Sequence, residues 1–174
     1  MPNLEVDLVQ QVINMIVLAI ILILIIVSIV GLYLYSKKRI YDNGLSFRDS
    51  MSLTELPVVT FYNGHKKLNL LLDTGSSECV INKTCLDSIW YQETNSCKEV
   101  FGMEGNAVRN SVISTIISYS GLKFDVDMVA MDMTQAFAAI KKESGVTIHG
   151  ILGSNFFTRY KYVLDFDKLM FYRK

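Results

Sequence analysis

The hydrophobic and polar positions divide the chain into three stretches of different rhythm. From Met15 to Tyr35 no residue is charged, and the run matches the roughly 20 apolar residues that cross a bilayer core as a helix. Ser36 to Glu55 is polar, carries Asn43-Gly44 and lacks sustained periodicity, which predicts a linker. From Leu56 onward β-rich runs alternate with turn signals. Pro57–Tyr62 and Lys67–Leu72 flank Asn63-Gly64 as a hairpin, Cys79–Ile81 is a short strand, and Val100–Val108 is a glycine-bearing hairpin. Two longer strands, Val112–Tyr119 and Leu122–Met131, meet at Ser120-Gly121. Thr134–Ser144 reads as one short helix, with Thr134 as cap, Phe137 and Ile140 three apart, and Gly145 as the stop. Strand returns over Thr147–Leu152, and Tyr160–Phe166 and Leu169–Tyr172 form a terminal hairpin around Asp167-Lys168. The expected organisation is therefore a short extracytoplasmic N-terminus (1–14), a transmembrane helix (15–35), a juxtamembrane linker (36–55) and a mostly β domain (56–174).

Flanking charge separates an anchor from a secretory signal. A signal has an apolar core of about 7 to 15 residues preceded by positive charge, whereas Glu5 and Asp7 precede this run. Lys37-Lys38-Arg39 follow it and no Lys or Arg precedes it, so the positive side predicts a single-pass membrane protein with the N-terminus outside and the C-terminal domain cytoplasmic. Tyr33 and Tyr35 fit the aromatic belt at that interface. The expected lipid contact is the bilayer around residues 15–35. With 17 basic and 17 acidic residues the net charge is zero, which leaves no footprint for nucleic acid. Cys79, Cys85 and Cys97 read as reduced thiols used as small buried hydrophobes.

Candidate chemistry concentrates at one turn. Leu70-Leu71-Leu72 reads as a strand buried on both faces that delivers Asp73 into Thr74-Gly75-Ser76. Gly75 permits a tight turn with close backbone approach, Thr74 supplies a hydroxyl, and Ser76 is placed to hydrogen-bond a carboxylate. Other chemistries find no pattern. His65 and His149 show no zinc-like spacing with the cysteines, so no metal and no cofactor are expected. No Gly-x-Ser-x-Gly elbow is present. Trp90 and Tyr91 read as packing residues or loop anchors, and Asp165 and Asp167 as solvated hairpin charges.

Farther along, Ile151-Leu152-Gly153 places two apolar residues before a glycine. With Asp73-Thr74-Gly75, this resembles the retropepsin-like (retroviral-type) aspartic protease family, particularly its bacterial single-domain, membrane-anchored members. The resemblance spans residues 56–174. It implies a mostly β fold, a retropepsin-like closed β-barrel or acid-protease half-lobe with one short helix inserted, preceded by the single transmembrane helix. It also implies that Asp73 is the catalytic aspartate, that Thr74 hydrogen-bonds across a dimer, that Gly75 is the turn glycine, and that Ile151-Leu152-Gly153 passes beside the catalytic loop. The segment carrying Phe101, Gly102, Met103, Glu104 and Gly105 stands in the flap's place. At 174 residues the chain is far short of the roughly 300 that two lobes need, so a second copy must supply the second aspartate. Two carboxylates within about 3 Å share one proton and activate water without metal or covalent intermediate. The expected activity is aspartic endopeptidase action on peptide or protein by a homodimer. The alternatives are a noncatalytic peptide-binding or dimerisation module with a protease-like fold, and a monomer in which Asp-Thr-Gly is only a turn.

Overall fold

The computed structural model describes the backbone of residues 2–101 and 107–174, and their side chains except at 2–7, 37, 39–43, 100, 101, 107 and 108. The chain divides into two units after Asn43. The first is one helix, α1 (Pro2–Asn43). Between Leu8 and Ser36 it is long and apolar enough to cross a membrane, and its most apolar 18-residue window has a mean hydropathy of 3.4.

The second unit is a β-barrel. Its strands are β1 (Val58–Asn63), β2 (Lys66–Leu72), β3 (Cys79–Asn82), β4 (Gln92–Phe101), β5 (Ala107–Tyr119), β6 (Leu122–Met131) and β7 (Gly150–Leu152), in the order β1-β2-β7-β3-β6-β5-β4. A further pairing of β1 with β5, at Tyr62↔Ser118, closes the sheet and leaves β4 as a flank on β5. The hairpin signals operate as local chemistry requires. Gly64 turns β1 into β2 at φ +57°, and Ser120 and Gly121 both take positive φ between β5 and β6, as a two-residue type I′ turn demands.

The barrel interior is aromatic. Phe61, fully buried, meets Tyr119, Phe124, Phe156 and Phe171 with ring centroids 5.1 to 6.3 Å apart. Phe171 belongs to the terminal hairpin β8 (Tyr162–Asp165) and β9 (Met170–Arg173), where it stacks on Tyr162 at 4.4 Å. Phe156 comes from a helix, α4 (Ser154–Tyr160), where the sequence signals marked no element between the strand ending at Leu152 and the hairpin beginning at Tyr160. Tyr160 lies four residues after Phe156 and three after Phe157, so helical winding brings it beside both on one aromatic face.

Three other expectations change. Within the stretch 36–55, α1 continues to Asn43 and a second helix, α2 (Phe47–Thr54), follows. Ser46 and Asp49 form a capping box, Phe47 is buried edge-on against Phe166, and Ser50 is fully buried, donating to Phe47 O and accepting from Val58 N–H. A helix of eight residues needs such caps and contacts more than periodicity. Helix α3 (Thr134–Ser144) has the expected span and its Gly145 stop, but Thr134 is not the cap: Met133 is, and the Asp132 carboxylate accepts from Thr134 N–H at 3.0 Å. In β2 only Leu68, Leu70 and Leu72 are buried while Leu71 is half-exposed, because one face meets the core and the other turns outward.

Phe47→Ala in residues 44–174 is expected to lower unfolding stability by about 3–5 kcal/mol, as for a buried phenylalanine. Urea unfolding checks this, and an unchanged midpoint would mean that 44–55 hangs free.

Candidate active site

The Asp73 turn stands where two parallel strands end side by side. β2 pairs with β7 in parallel as Leu70↔Gly150, Leu71↔Ile151 and Leu72↔Leu152, and β7 pairs antiparallel with β3 on its other edge. Asp73 N–H donates to Leu152 O at 3.0 Å, and Ser154 N–H donates to Ser76 O at 2.7 Å. The apolar-apolar-Gly segment thus forms the floor of the Asp-Thr-Gly loop. Both glycines here are dictated by space. A Cβ on Gly153 would run into Glu78 O and stand 2.8 Å from Ser76 O, and one on Gly150 would run into Val80 O. Strand backbones can approach this closely only where no side chain intervenes.

Within the loop, the Asp73 carboxylate is half-buried and its Oδ1 accepts from Gly75 N–H at 2.9 Å. A Cβ on Gly75 would lie 3.2 Å from that oxygen, so glycine leaves room for the carboxylate to fold over the turn. Thr74 is exposed at the tip. Ser76 supports the loop differently from expectation. Its hydroxyl donates to Glu78 O at 2.8 Å rather than to a carboxylate, and its N–H donates to Asp73 O at 3.3 Å. Ile151 is half-buried and Leu152 fully buried.

A second polar group, without a sequence signature, joins three elements. Glu78 Oε1 pairs with Lys98 Nζ of β4 at 2.6 Å, and its Oε2 accepts from Asn155 Nδ2 of α4 at 3.2 Å. Asn155 Oδ1 in turn accepts from Cys79 Sγ at 3.1 Å and Phe156 N–H at 2.7 Å. These residues lie far apart in the chain, and only the fold brings them together. Burial pushes the Cys79 thiol up to about 11, so it stays protonated and serves as a donor rather than a nucleophile. Cys85 is also buried, but Cys97 is exposed on β4 and is not the small buried hydrophobe expected. The hairpin expected to stand in the flap's place is described at its base, where β4 and β5 pair as far as Phe101↔Ala107. Gly102, Met103, Glu104 and Gly105 lie outside the described residues, as does the Phe101 side chain.

His149, next to the floor strand, is a structural acceptor. Its Nδ1 receives Asn69 N–H at 3.0 Å, and burial together with the Lys66 and Lys141 charges holds its proton affinity below the usual imidazole value. Among the described residues no cluster of His, Cys, Asp and Glu could hold a metal ion.

The aspartyl protease family model matches residues 58–156, from the start of β1 into α4. The chain belongs to the aspartyl protease family. The matched region holds both halves of the site, the Asp73 loop and its Gly153 floor. The order seen here, a strand, the Asp-Thr-Gly loop, the β4–β5 hairpin continued into β6, and the apolar-apolar-Gly floor, agrees with the mostly β barrel that the sequence resemblance implied. Among solved structures the chain is similar to "EIAV protease complexed with the inhibitor HBY-793", with 18% sequence identity and a TM-score of 0.46, over 60% of this chain and 86% of that chain. No curated protein matches the chain in sequence.

Gly153→Ala is expected to lift the loop off its floor and to cost about 1–3 kcal/mol through overpacking. Hydrogen exchange reads it directly, as lost protection at Asp73 and Ser154. A pH effect follows from His149. Its folded-state affinity lies below that of the unfolded chain, so the stability it contributes is present above about pH 6.5 and is lost as pH falls further. The thermal midpoint should drop between pH 7 and pH 5, and His149→Gln should flatten that slope.

Proposed function

We propose that the chain is a membrane-anchored aspartic endopeptidase that acts as a two-fold homodimer, with one Asp73 from each protomer. The observation that carries this reading is a rigidly floored, solvent-reachable Asp-Thr-Gly loop that occurs once per barrel. Asp73 Oδ1 is held by Gly75 N–H, while Oδ2 has no hydrogen-bond partner among the described residues. A carboxylate fixed on one oxygen is oriented for a partner across a symmetry axis, where a single site meets its own copy. In that pair one carboxylate takes the proton of a bound water and the other donates to the carbonyl oxygen of the peptide bond. Thr74, exposed at the tip, would bond across the dimer, and the β4–β5 hairpin would close over the substrate.

Two further features support assembly. Phe166, Met170 and Tyr172 are exposed large apolar or aromatic side chains around the terminal hairpin, surface of the kind that self-association covers. The covalently attached apolar helix confines copies to one membrane and raises their effective concentration. Lys37-Lys38-Arg39, following the apolar stretch of that helix, favour a cytoplasmic catalytic domain.

Asp73→Asn tests the chemistry. Wild-type protein and variant are incubated with a diverse peptide pool and new termini are read by mass spectrometry, with dimer content followed by sedimentation. Cleavage should fall at least about 100-fold in the variant, with dimer content unchanged. Equal cleavage by both, or none by a dimeric wild type, would sink the peptidase reading. A C-terminus open to protease outside intact cells would contradict the orientation.

A further inference from the structure

At the end of the barrel away from Asp73, a cleft of about 600 Å3 opens beside the seam where β1 meets β5. Its walls are Tyr62 and the Gly64 turn, Trp90 and Tyr91 before β4, and Ile116 on the outer face of β5, with Lys123 and Asp125 of β6 at the rim. The sequence suggested that Trp90 is a packing residue or a loop anchor. Trp90 is 81% exposed and Ile116 56% exposed, so packing is not its part.

The backbone beneath that indole is held by buried polar groups. Asn63, 3% exposed, accepts from Trp90 N–H at 2.7 Å, and its Nδ2 lies 2.9 to 3.0 Å from Trp90 O, Thr115 Oγ1 and Ile116 O. Thr115, also 3% exposed, donates to Trp90 O at 2.6 Å. The seam is therefore closed by side chains gripping the backbone of residue 90, and its large apolar ring is left in water. An indole placed this way has most of its apolar area still to bury.

The surroundings favour polypeptide as the occupant. One cation and one anion at the rim balance, which suits a neutral chain over a polyanion or polycation. Gln92, the first residue of β4, lines the cleft, and β4 pairs only with β5 among the described residues, so its other edge offers backbone donors and acceptors to an added strand. We propose that this cleft is an exosite for an extended segment of the protein substrate, with an aromatic or large aliphatic side chain seated between Trp90 and Ile116. The identity of the occupant rests on the peptidase reading; the cleft itself does not. The seven residues of β2 separate the cleft from Asp73, roughly 20 Å at about 3.3 Å per residue. A substrate must therefore span about six or more extended residues to fill both. Gln92 pairs with Ser114 and both line the cleft, so an occupant also touches the root of the β4–β5 hairpin.

Trp90 is the chain's single tryptophan, which makes its emission specific for the cleft. The full-length Asp73→Asn chain in detergent micelles is titrated with a capped heptapeptide of alternating threonine and valine with phenylalanine at its centre. A saturable blue shift is expected. It should be lost when aspartate replaces that phenylalanine, and Ile116→Asp, a change at an exposed position, should weaken it at least tenfold. No saturable shift, or an equal shift in Ile116→Asp, overturns the exosite. Cleavage of the pool by wild type with Trp90 emission unmoved also overturns it, while sparing the peptidase. A saturable, Ile116-dependent shift in a chain that cleaves nothing would retain the peptide site and overturn its role in substrate docking together with the peptidase reading.

Discussion

Everything at the Asp73 end of the barrel depends on two parallel strand ends meeting without a side chain between them. Leu72 and Leu152 stand in register, Asp73 N–H reaches Leu152 O, and Gly153 lies against Glu78 O and Ser76 O. β7 lies between β2 and β3 and pairs with both, so the strand that floors the loop also joins the strands on either side of it. Its three residues could not hold alone. They are held because each edge pairs with a longer strand and because Phe156, just beyond the glycine, is buried among Phe61 and Phe124.

Glu78 shows the difference between stabilising and positioning. Its bond to Lys98 joins side chains 30% and 44% exposed, and such an ion pair contributes only about 0–1 kcal/mol. Its geometric effect is larger. Together with Asn155 it ties the end of the Asp-Thr-Gly loop to α4 and to β4, so a weak interaction joins three elements. Asn63 acts in the same way at the opposite end, with stronger means. It is buried, and every one of its polar contacts closes the seam or holds Trp90.

Much of the barrel was legible because strand and turn signals are local. Asn63-Gly64 and Ser120-Gly121 announce their hairpins through the positive φ those turns need, and α3 has the span that Phe137, Ile140 and Gly145 indicate. The misses share one cause. α2 and α4 are short helices held by contacts with residues distant in sequence, Phe47 on Phe166 and Phe156 on Phe61, and no window of local periodicity contains those partners. Ser76 was read as a partner for a carboxylate because both types sit in one turn, yet the turn closes so that its hydroxyl faces Glu78 O.

The sequence by itself determined the apolar helix, the β1–β2 and β5–β6 hairpins and the Asp-Thr-Gly loop with its apolar-apolar-Gly companion. Those depend on runs of residue type, on positive φ and on the absence of a Cβ, all written locally. Tertiary structure alone decided that Gly153 becomes the floor of that loop, that Glu78 meets Lys98 and Asn155, and that Trp90 faces water over a buried asparagine. Each of these is a meeting of residues remote in the chain, and only closure of the barrel sets their distances.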